Sequence, residues 1–80
     1  MKTRLYVANL SYSLDESDLR RTFESFGKVR SVVVTREQSR GFGFVEYENA
    51  IDAQRASESL DGFDVDGRKL SVRVQRVSEG

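Results

Sequence analysis

The sequence predicts an α+β domain of the ferredoxin-like split βαβ class, with two helices on one face of a four-stranded antiparallel sheet. Three observations support this prediction. The elements follow the order strand, helix, strand, strand, helix, strand; a helix-start signal precedes each helix; and the strand segments are β-branched or alternate between apolar and polar residues. With 80 residues the chain is one domain, which we take as residues 1–80 with a core over 3–76 and a short tail at 77–80.

The first strand and the first helix have separate sequence signals. Residues 5–10 are short, apolar and β-prone, and they predict a strand. Asp15, followed three residues later by Asp18, is a helix-start pair of the capping-box type. Gly27 is a typical helix end. Between these signals, apolar residues recur at the spacing of one helical face: Leu19, Phe23 and Phe26.

The next two strands form a predicted hairpin. Residues 29–35 are a β-branched run, and residues 40–47 are rich in aromatic residues and glycine. The polar residues 36–39 join the two segments, and a connection of this length is typical of a β-hairpin.

A second helix and a last strand complete the pattern. Asn49 with Asp52 repeats the helix-start signal, and the Asp-Gly pair at 61–62 ends the helix. The Asp-Gly pair at 66–67 predicts a turn, and residues 70–75 alternate as the last strand. The apolar residues that follow the helix start at helical spacing are Ala53, Ala56 and Leu60.

Alternation along the first and last strands predicts which side of the sheet faces solvent. Each of these strands has an aliphatic set, which we place in the core, and a set that contains arginine, which we place in water. The residues on the water-facing side are Arg4, Tyr6, Ala8, Ser71, Arg73 and Gln75.

The third strand is ambiguous. Phe42 and Phe44 share a face with Arg40 and Glu46, and neither of these charges is easily buried without a partner. We therefore expect both Phe rings on the water-facing side, next to Tyr6. Three exposed rings contribute little to folding. From the pattern alone, the alternatives are that a loop or the C-terminal tail covers the rings, or that the register is shifted by one residue.

Composition excludes several classes of function. The chain has 13 Lys and Arg, 13 Asp and Glu, no His and no Cys, so its net charge is zero. The usual general base, the thiolate nucleophile and the imidazole and thiolate metal ligands are missing, and we expect no enzyme activity, no catalytic residue, no metal and no cofactor. No apolar run approaches the ~20 residues of a membrane helix, and no apolar leader opens the chain. We therefore expect no membrane association and an intracellular location in a compartment left open.

Two segments resemble the RNA recognition motif family. Residues 40–47 read Arg-Gly-Phe-Gly-Phe-Val-Glu-Tyr and meet every specified position of the family's longer signature. Residues 5–10 fit its shorter signature, a strand that ends in Asn-Leu. Members of the family stack two or three unpaired bases on aromatic residues of the sheet. The resemblance therefore implies a post-transcriptional module that binds single-stranded RNA, with these stacking residues: Tyr6, Phe42 and Phe44.

The resemblance also implies polar contacts around the rings. Basic residues concentrate on the predicted strands and acidic residues on the predicted helices, which favours the sheet as the binding side. Each Lys or Arg can equally be an ordinary solvated charge, and Glu46 can equally pair with an Arg across the sheet. Asn9 is expected to hydrogen-bond backbone at the strand end. The candidates for phosphate or base contacts are Lys2, Arg4, Arg40, Glu46, Arg73, Gln75 and Arg76.

Several alternatives are open at this level. Some members of the family bind a peptide or a partner domain, through the helix face or the sheet, and single-stranded DNA is an alternative to RNA. Ala8 stands where many relatives have Gly, and the connector at 36–39 is short. With the neutral charge, these features predict weak binding over about two to four nucleotides that weakens as salt rises. We expect a monomer, which can be a natural minimal protein or an excised or designed domain.

Overall fold

The computed structural model describes residues 3–37 and 40–75, and of Arg40 it gives the backbone alone. The predicted order of elements is confirmed, with one addition, a short hairpin before the last strand. The elements are β1 (Arg4–Ala8), α1 (Glu16–Glu24), β2 (Val29–Glu37), β3 (Arg40–Tyr47), α2 (Ala50–Leu60), β4 (Asp64–Val65), β5 (Arg68–Lys69) and β6 (Ser71–Gln75).

Four of the strands form one antiparallel sheet in the spatial order β2-β3-β1-β6. The two strands that carry the signature segments, β3 and β1, are therefore the central pair. Helix α1 packs against β2, and α2 packs against β6, β1 and β3. This is the predicted ferredoxin-like arrangement. No helix within the described ranges is long and apolar enough to cross a membrane.

The core lies between the sheet and the helices. It contains the predicted aliphatic faces of β1 and β6 and the apolar faces of both helices. The prediction that Phe26 lies on the face of α1 with Leu19 and Phe23 is wrong. Helix α1 ends at Glu24, and Phe26 lies in the following turn, partly buried against the core. The fully or nearly fully buried residues are Leu5, Val7, Leu10, Leu14, Leu19, Phe23, Val29, Val45, Tyr47, Ala53, Ala56, Leu60, Leu70 and Val72.

The start of α1 is fixed by a capping box. The Asp18 N–H donates to Asp15 Oδ1 at 3.0 Å, and the Asp15 N–H donates to Asp18 Oδ2 at 3.3 Å. Two N–H groups that the helix leaves unpaired thereby gain acceptors. The hydrogen bond from the Asp18 backbone lowers the pKa of Asp15. At α2 the predicted cap residue Asn49 precedes the helix, but its side chain makes no capping bond.

Tyr47 at the end of β3 ties the sheet to α1. Its side chain is 1% exposed, and its hydroxyl donates to the backbone carbonyl of Phe23 at 2.6 Å. A buried phenol needs such an acceptor, since an unpaired hydroxyl in the core is costly. Burial, with a smaller effect of the nearby Asp52 carboxylate, raises the pKa of Tyr47.

Strand β2 is longer than expected. It continues through Arg36 to Glu37, which pairs with the backbone of Arg40, so Arg36 and Glu37 belong to the strand and not to the predicted connector at 36–39, of which residues 38–39 lie outside the described residues. The Arg36 guanidinium explains part of this extension. It donates to the backbone carbonyls of Tyr12 and Leu14 and thereby links β2 to the loop that follows β1.

The addition to the predicted topology is the hairpin of β4 and β5, which surrounds the predicted turn at Asp66 and Gly67. Both turn residues have positive φ angles, 53° and 83°, the backbone of a primed two-residue turn. The Gly67 N–H also donates to Asp64 Oδ1 at 3.0 Å. The hairpin brings Arg68 close to the end of β1.

Candidate nucleic-acid interface

Three aromatic rings lie together on the sheet face opposite the helices, and we call Tyr6, Phe42 and Phe44 the ring platform. Phe44 is paired with Tyr6 and Phe42 with Ala8 across the central strands. The Tyr6 ring centroid lies 5.9 Å from that of Phe42 and 5.5 Å from that of Phe44. The two Phe rings meet edge to face at 6.4 Å. All three rings are partly exposed.

The opposite face of β3 explains why the rings lie outside the core. Gly43, Val45 and Tyr47 are buried, so the register shifted by one residue is wrong for this strand. A Cβ atom at position 43 would lie 2.5 Å from the Val33 carbonyl oxygen and 3.4 Å from Leu19 Cδ2. Only glycine fits against the β2 backbone at this position, because real Cβ atoms do not approach a backbone oxygen so closely. Because these alternate residues face the core, the neighbouring Phe42 and Phe44 side chains face outward.

A row of four side chains crosses the sheet through the centre of the platform. Val33, Phe44, Tyr6 and Arg73 occupy paired positions on β2, β3, β1 and β6. Val33 is 49% exposed, unusual for a valine on a strand, and Arg73 is exposed. Sequence reasoning did not select Val33, because its face is decided by the hairpin register with Phe44. The row places an aliphatic surface on one side of the rings and a cation on the other.

The neighbouring row contains two of the candidate polar residues. Arg4 and Glu46 are paired across β1 and β3, and the Arg4 Nη2 to Glu46 Oε1 distance is 3.6 Å. The Thr3 hydroxyl also donates to Glu46 Oε2 at 3.2 Å. Of the two roles considered for Glu46, the ion pair with an Arg across the sheet is present. The Arg4 guanidinium carbon lies 5.9 Å from the Phe44 ring centroid, within the range of a cation–π contact.

The remaining candidates lie on the last strand or outside the described residues. Gln75 is paired with Arg4, and its buried Oε1 has no hydrogen-bond partner within residues 3–37 and 40–75. Lys2 and Arg76 fall outside the described residues, as does the side chain of Arg40. The structure therefore brings together this set of candidates: Arg4, Tyr6, Phe42, Phe44, Glu46, Arg73 and Gln75.

A groove continues from one end of the platform. Its volume is about 550 Å³, and it extends from Glu37 at the end of β2 across the centre of the sheet to Arg68. Tyr6 and Phe42 belong to both the platform and the groove. Sequence reasoning also did not select Arg68, because the hairpin that carries it was not predicted. The lining residues are Tyr6, Ala8, Asn9, Glu37, Gly41, Phe42 and Arg68.

Asn9 organises the Arg68 end of this groove. Its φ angle of 63° turns the chain sharply after β1, a conformation that Asn tolerates better than most residues. The side-chain amide donates to the Lys69 carbonyl at 2.8 Å, which is the backbone hydrogen bond expected of Asn9. The same side chain accepts from Arg68 Nη1 at 3.2 Å. Asn9 therefore holds both the backbone and the guanidinium of this segment.

The chemistry available on this face is stacking, charge attraction and hydrogen bonding. Asp64 and Asp66, two acidic residues of the β4–β5 hairpin, serve structural roles instead, since Asp64 accepts from Gly67 and Asp66 from Ser13. Among the described residues there is no group of three or more acidic side chains that could hold a metal ion.

Comparisons with known proteins agree with this geometry. The chain is 46% identical over 81 aligned residues to polyadenylate-binding protein 2 of Arabidopsis thaliana, an alignment covering 96% of this chain and 13% of that protein. It is 44% identical to a probable arginine/serine-rich splicing factor 4 of Caenorhabditis elegans, covering 92% of this chain and 40% of that protein. The chain thus spans well under half the length of these curated relatives.

Solved structures give the same result. The RNA-binding protein PG1 matches with a TM-score of 0.84 and 40% identity, covering 98% of this chain and 99% of that one. The third RNA recognition motif of Pes4 matches with a TM-score of 0.91 at 23% identity, which shows the fold alone. The RNA recognition motif is a non-enzymatic binding domain, and its family pattern matches residues 5–71. The chain therefore belongs to the RNA recognition motif family.

Proposed function

We propose that the chain binds single-stranded RNA by stacking unpaired bases on the ring platform. The observation that carries this proposal is the position of Tyr6, Phe42 and Phe44 on the open side of the sheet, where they add little to the core. Exposed clustered rings are a liability unless they bind something. Each stacked base contributes about 1–3 kcal/mol, so two or three bases give useful affinity.

Charged residues around the rings would position the phosphate backbone. Arg4 and Arg73 flank Tyr6 on the same face, and Lys2, Arg40 and Arg76 stay candidates from the sequence alone. Because these contacts release counterions, binding should weaken as salt rises. The proposed footprint is about two to four nucleotides.

Base recognition would depend on hydrogen bonds from the polar side chains around the rings. Gln75 suits this role because its buried oxygen, which has no partner among the described residues, would gain a donor from a base amino group, and an acceptor left without a donor costs about 1–3 kcal/mol. Glu46 can accept from a base as well, because its carboxylate has acceptor sites beyond those that face Arg4 and Thr3. Single-stranded DNA would meet the same rings, since stacking makes no use of the 2′-hydroxyl.

The relatives' names support a cellular setting. They include a polyadenylate-binding protein, a splicing factor and a protein of the U11/U12 small nuclear ribonucleoprotein. We therefore propose a post-transcriptional role inside the cell, with residues 1–80 acting as one domain and as a monomer.

The test is a binding measurement with a matched aromatic control. Fluorescence anisotropy of a labelled pool of random six-nucleotide RNAs compares the wild type with the double variant Phe42→Ala/Phe44→Ala. Phe63→Ala is the control, because Phe63 is 54% exposed but lies outside the four-stranded sheet. The proposal predicts that the double variant loses binding while the control retains it. Equal binding by all three proteins would refute the proposal that RNA binds on the ring platform.

A protein partner on the helix face is the second candidate. Ile51 on α2 is 68% exposed, and the neighbouring Arg55 is also exposed. A partner that binds there would shift the amide signals of α2 and leave those of β1 and β3 unchanged.

A further inference from the structure

We propose that the Arg68 end of the groove is a phosphate subsite, which holds the backbone of the nucleotide next to the stacked bases. This inference rests on the proposed function, since it needs an RNA strand on the platform. It adds a contact that lies outside the three-ring stack and outside the signature segments, on the short hairpin of β4 and β5.

The groove is continuous with the platform. Tyr6 and Phe42 line it, so a strand whose bases stack on these rings reaches the groove within one nucleotide. Its volume of about 550 Å³ falls within the roughly 300–1,000 Å³ typical of small-molecule sites, which is enough for a nucleotide. Gly41 and Ala8 form part of its wall, and the small side chain of Ala8, which shares a face with the rings, leaves it open.

The two ends of the groove carry opposite charges. Glu37 lies at the end contributed by β2, and Arg68 lies at the end next to β1. A phosphate is repelled by the carboxylate and attracted by the guanidinium, so it belongs at Arg68. The planar guanidinium also matches two phosphate oxygens at once, which an ammonium group cannot do.

Arg68 is held in place before any ligand arrives. Its Nη1 donates to Asn9 Oδ1, and the Asn9 amide fixes the adjacent Lys69 carbonyl. The primed turn at Asp66 and Gly67 fixes the backbone on the other side. A long flexible side chain normally loses rotamer freedom when it binds, and this arrangement reduces that loss.

The experiment is a length series. Oligoadenylates, oligocytidylates and oligouridylates of two to six nucleotides are titrated into the wild type, Arg68→Gln and Arg55→Gln at several salt concentrations. Arg55→Gln removes the same charge from an exposed position on α2, against the other side of the sheet. It therefore controls for net charge.

The inference predicts a length-dependent defect in Arg68→Gln. Dinucleotides bind it as they bind the wild type, whereas longer strands bind about tenfold more weakly, as expected for a lost charged hydrogen bond. The slope of log affinity against log salt falls by about 0.7, the value for one phosphate on a single strand. Arg55→Gln follows the wild type at every length.

A second measurement, made on the wild type alone, tests the inference even if Arg68→Gln does not fold. In the wild type, the amide signals of Asn9 and residues 67–69 should shift with the longer strands and stay still with dinucleotides. If Arg68→Gln equals Arg55→Gln at all lengths, or if those signals never shift although RNA binds, the subsite is wrong. If the wild type binds no strand of any length, the proposed function itself fails.

Discussion

Tyr6 lies directly opposite Phe44 on the two central antiparallel strands, and their ring centroids are 5.5 Å apart with the ring planes tilted by 55°. Neither ring enters the core, because the alternate residues on both strands do. The pair is therefore a surface built on two rigid strands, and base stacking on it needs little rearrangement.

Replacing a ring should weaken RNA binding without unfolding the protein. Phe44→Ala removes one stacking face, and a loss of about 1–3 kcal/mol corresponds to a roughly 5- to 150-fold weaker Kd. Tyr6→Phe keeps the ring and should bind within about twofold of the wild type, since stacking uses the π-face. Isothermal titration calorimetry measures both. A large loss of RNA affinity in Tyr6→Phe would instead show that the Tyr6 hydroxyl group carries the interaction.

Gly43→Ala should destabilise the fold more than Gly41→Ala. The new methyl at position 43 would lie 2.5 Å from a backbone oxygen, whereas at position 41 its nearest neighbour is Leu10 Cβ at 3.2 Å. Overpacking of this kind costs about 1–3 kcal/mol, and each kcal/mol lowers Tm by about 4–8 °C in a domain this small. Thermal unfolding followed by circular dichroism shows which of the two variants has the lower Tm. A Gly43→Ala protein as stable as Gly41→Ala would contradict the packing described here.

Tyr47→Phe should lower the free energy of unfolding by about 1 kcal/mol, the net value of one buried hydrogen bond. The loss stays small because the Phe23 carbonyl still accepts from the Phe26 N–H at 3.1 Å. Urea denaturation at neutral pH measures the difference. A loss well above this range would mean that the substitution disturbs packing as well.

The difference in stability between the wild type and Tyr47→Phe should shrink in alkali. Burial raises the pKa of Tyr47 above that of an unfolded Tyr, so the neutral phenol favours the folded state. That stability is complete below about pH 10, the ordinary Tyr pKa, and is lost as pH rises further. Tyr47→Phe lacks this group. Its stability should fall less steeply above pH 10, and parallel curves would contradict the assignment.

Asp15→Asn isolates the charge of the α1 cap, because Asn keeps an acceptor at this position. The pKa of Asp15 is lowered in the fold, mainly by the backbone hydrogen bond from Asp18. Its charge therefore stabilises the protein above the ordinary Asp pKa of about 3.9, and this contribution is lost as pH falls below that value. The wild type should have the higher Tm at pH 7, and the gap should shrink at pH 2–3. A constant gap would show that the charge contributes nothing.

The fold could be predicted from the sequence because each local signal agrees with the tertiary arrangement. Alternation in β1 and β6 separates aliphatic from charged residues, and Ala53, Ala56 and Leu60 lie on one face of α2. Phe26 was misplaced because helical spacing continues beyond the point where α1 ends.

The parts of the site that were missed depend on pairing between distant segments. Val33 lies beside the ring platform because of its register with Phe44. Arg68 hydrogen-bonds at the groove to Asn9, 59 residues away in sequence. The two-residue strands β4 and β5 are too short for alternation to predict. Local patterns therefore predicted the rings and their polar neighbours on β1, β3 and β6, but not Val33 or Arg68.

The most direct test of the central claim is an amide NMR titration of the wild type with a pool of short single-stranded RNAs at low and moderate salt. The account predicts shifts concentrated in residues 4–9, 41–46 and 71–75, smaller at the higher salt, with α1 and α2 unaffected. Shifts confined to the helices, or none at either salt, would contradict it.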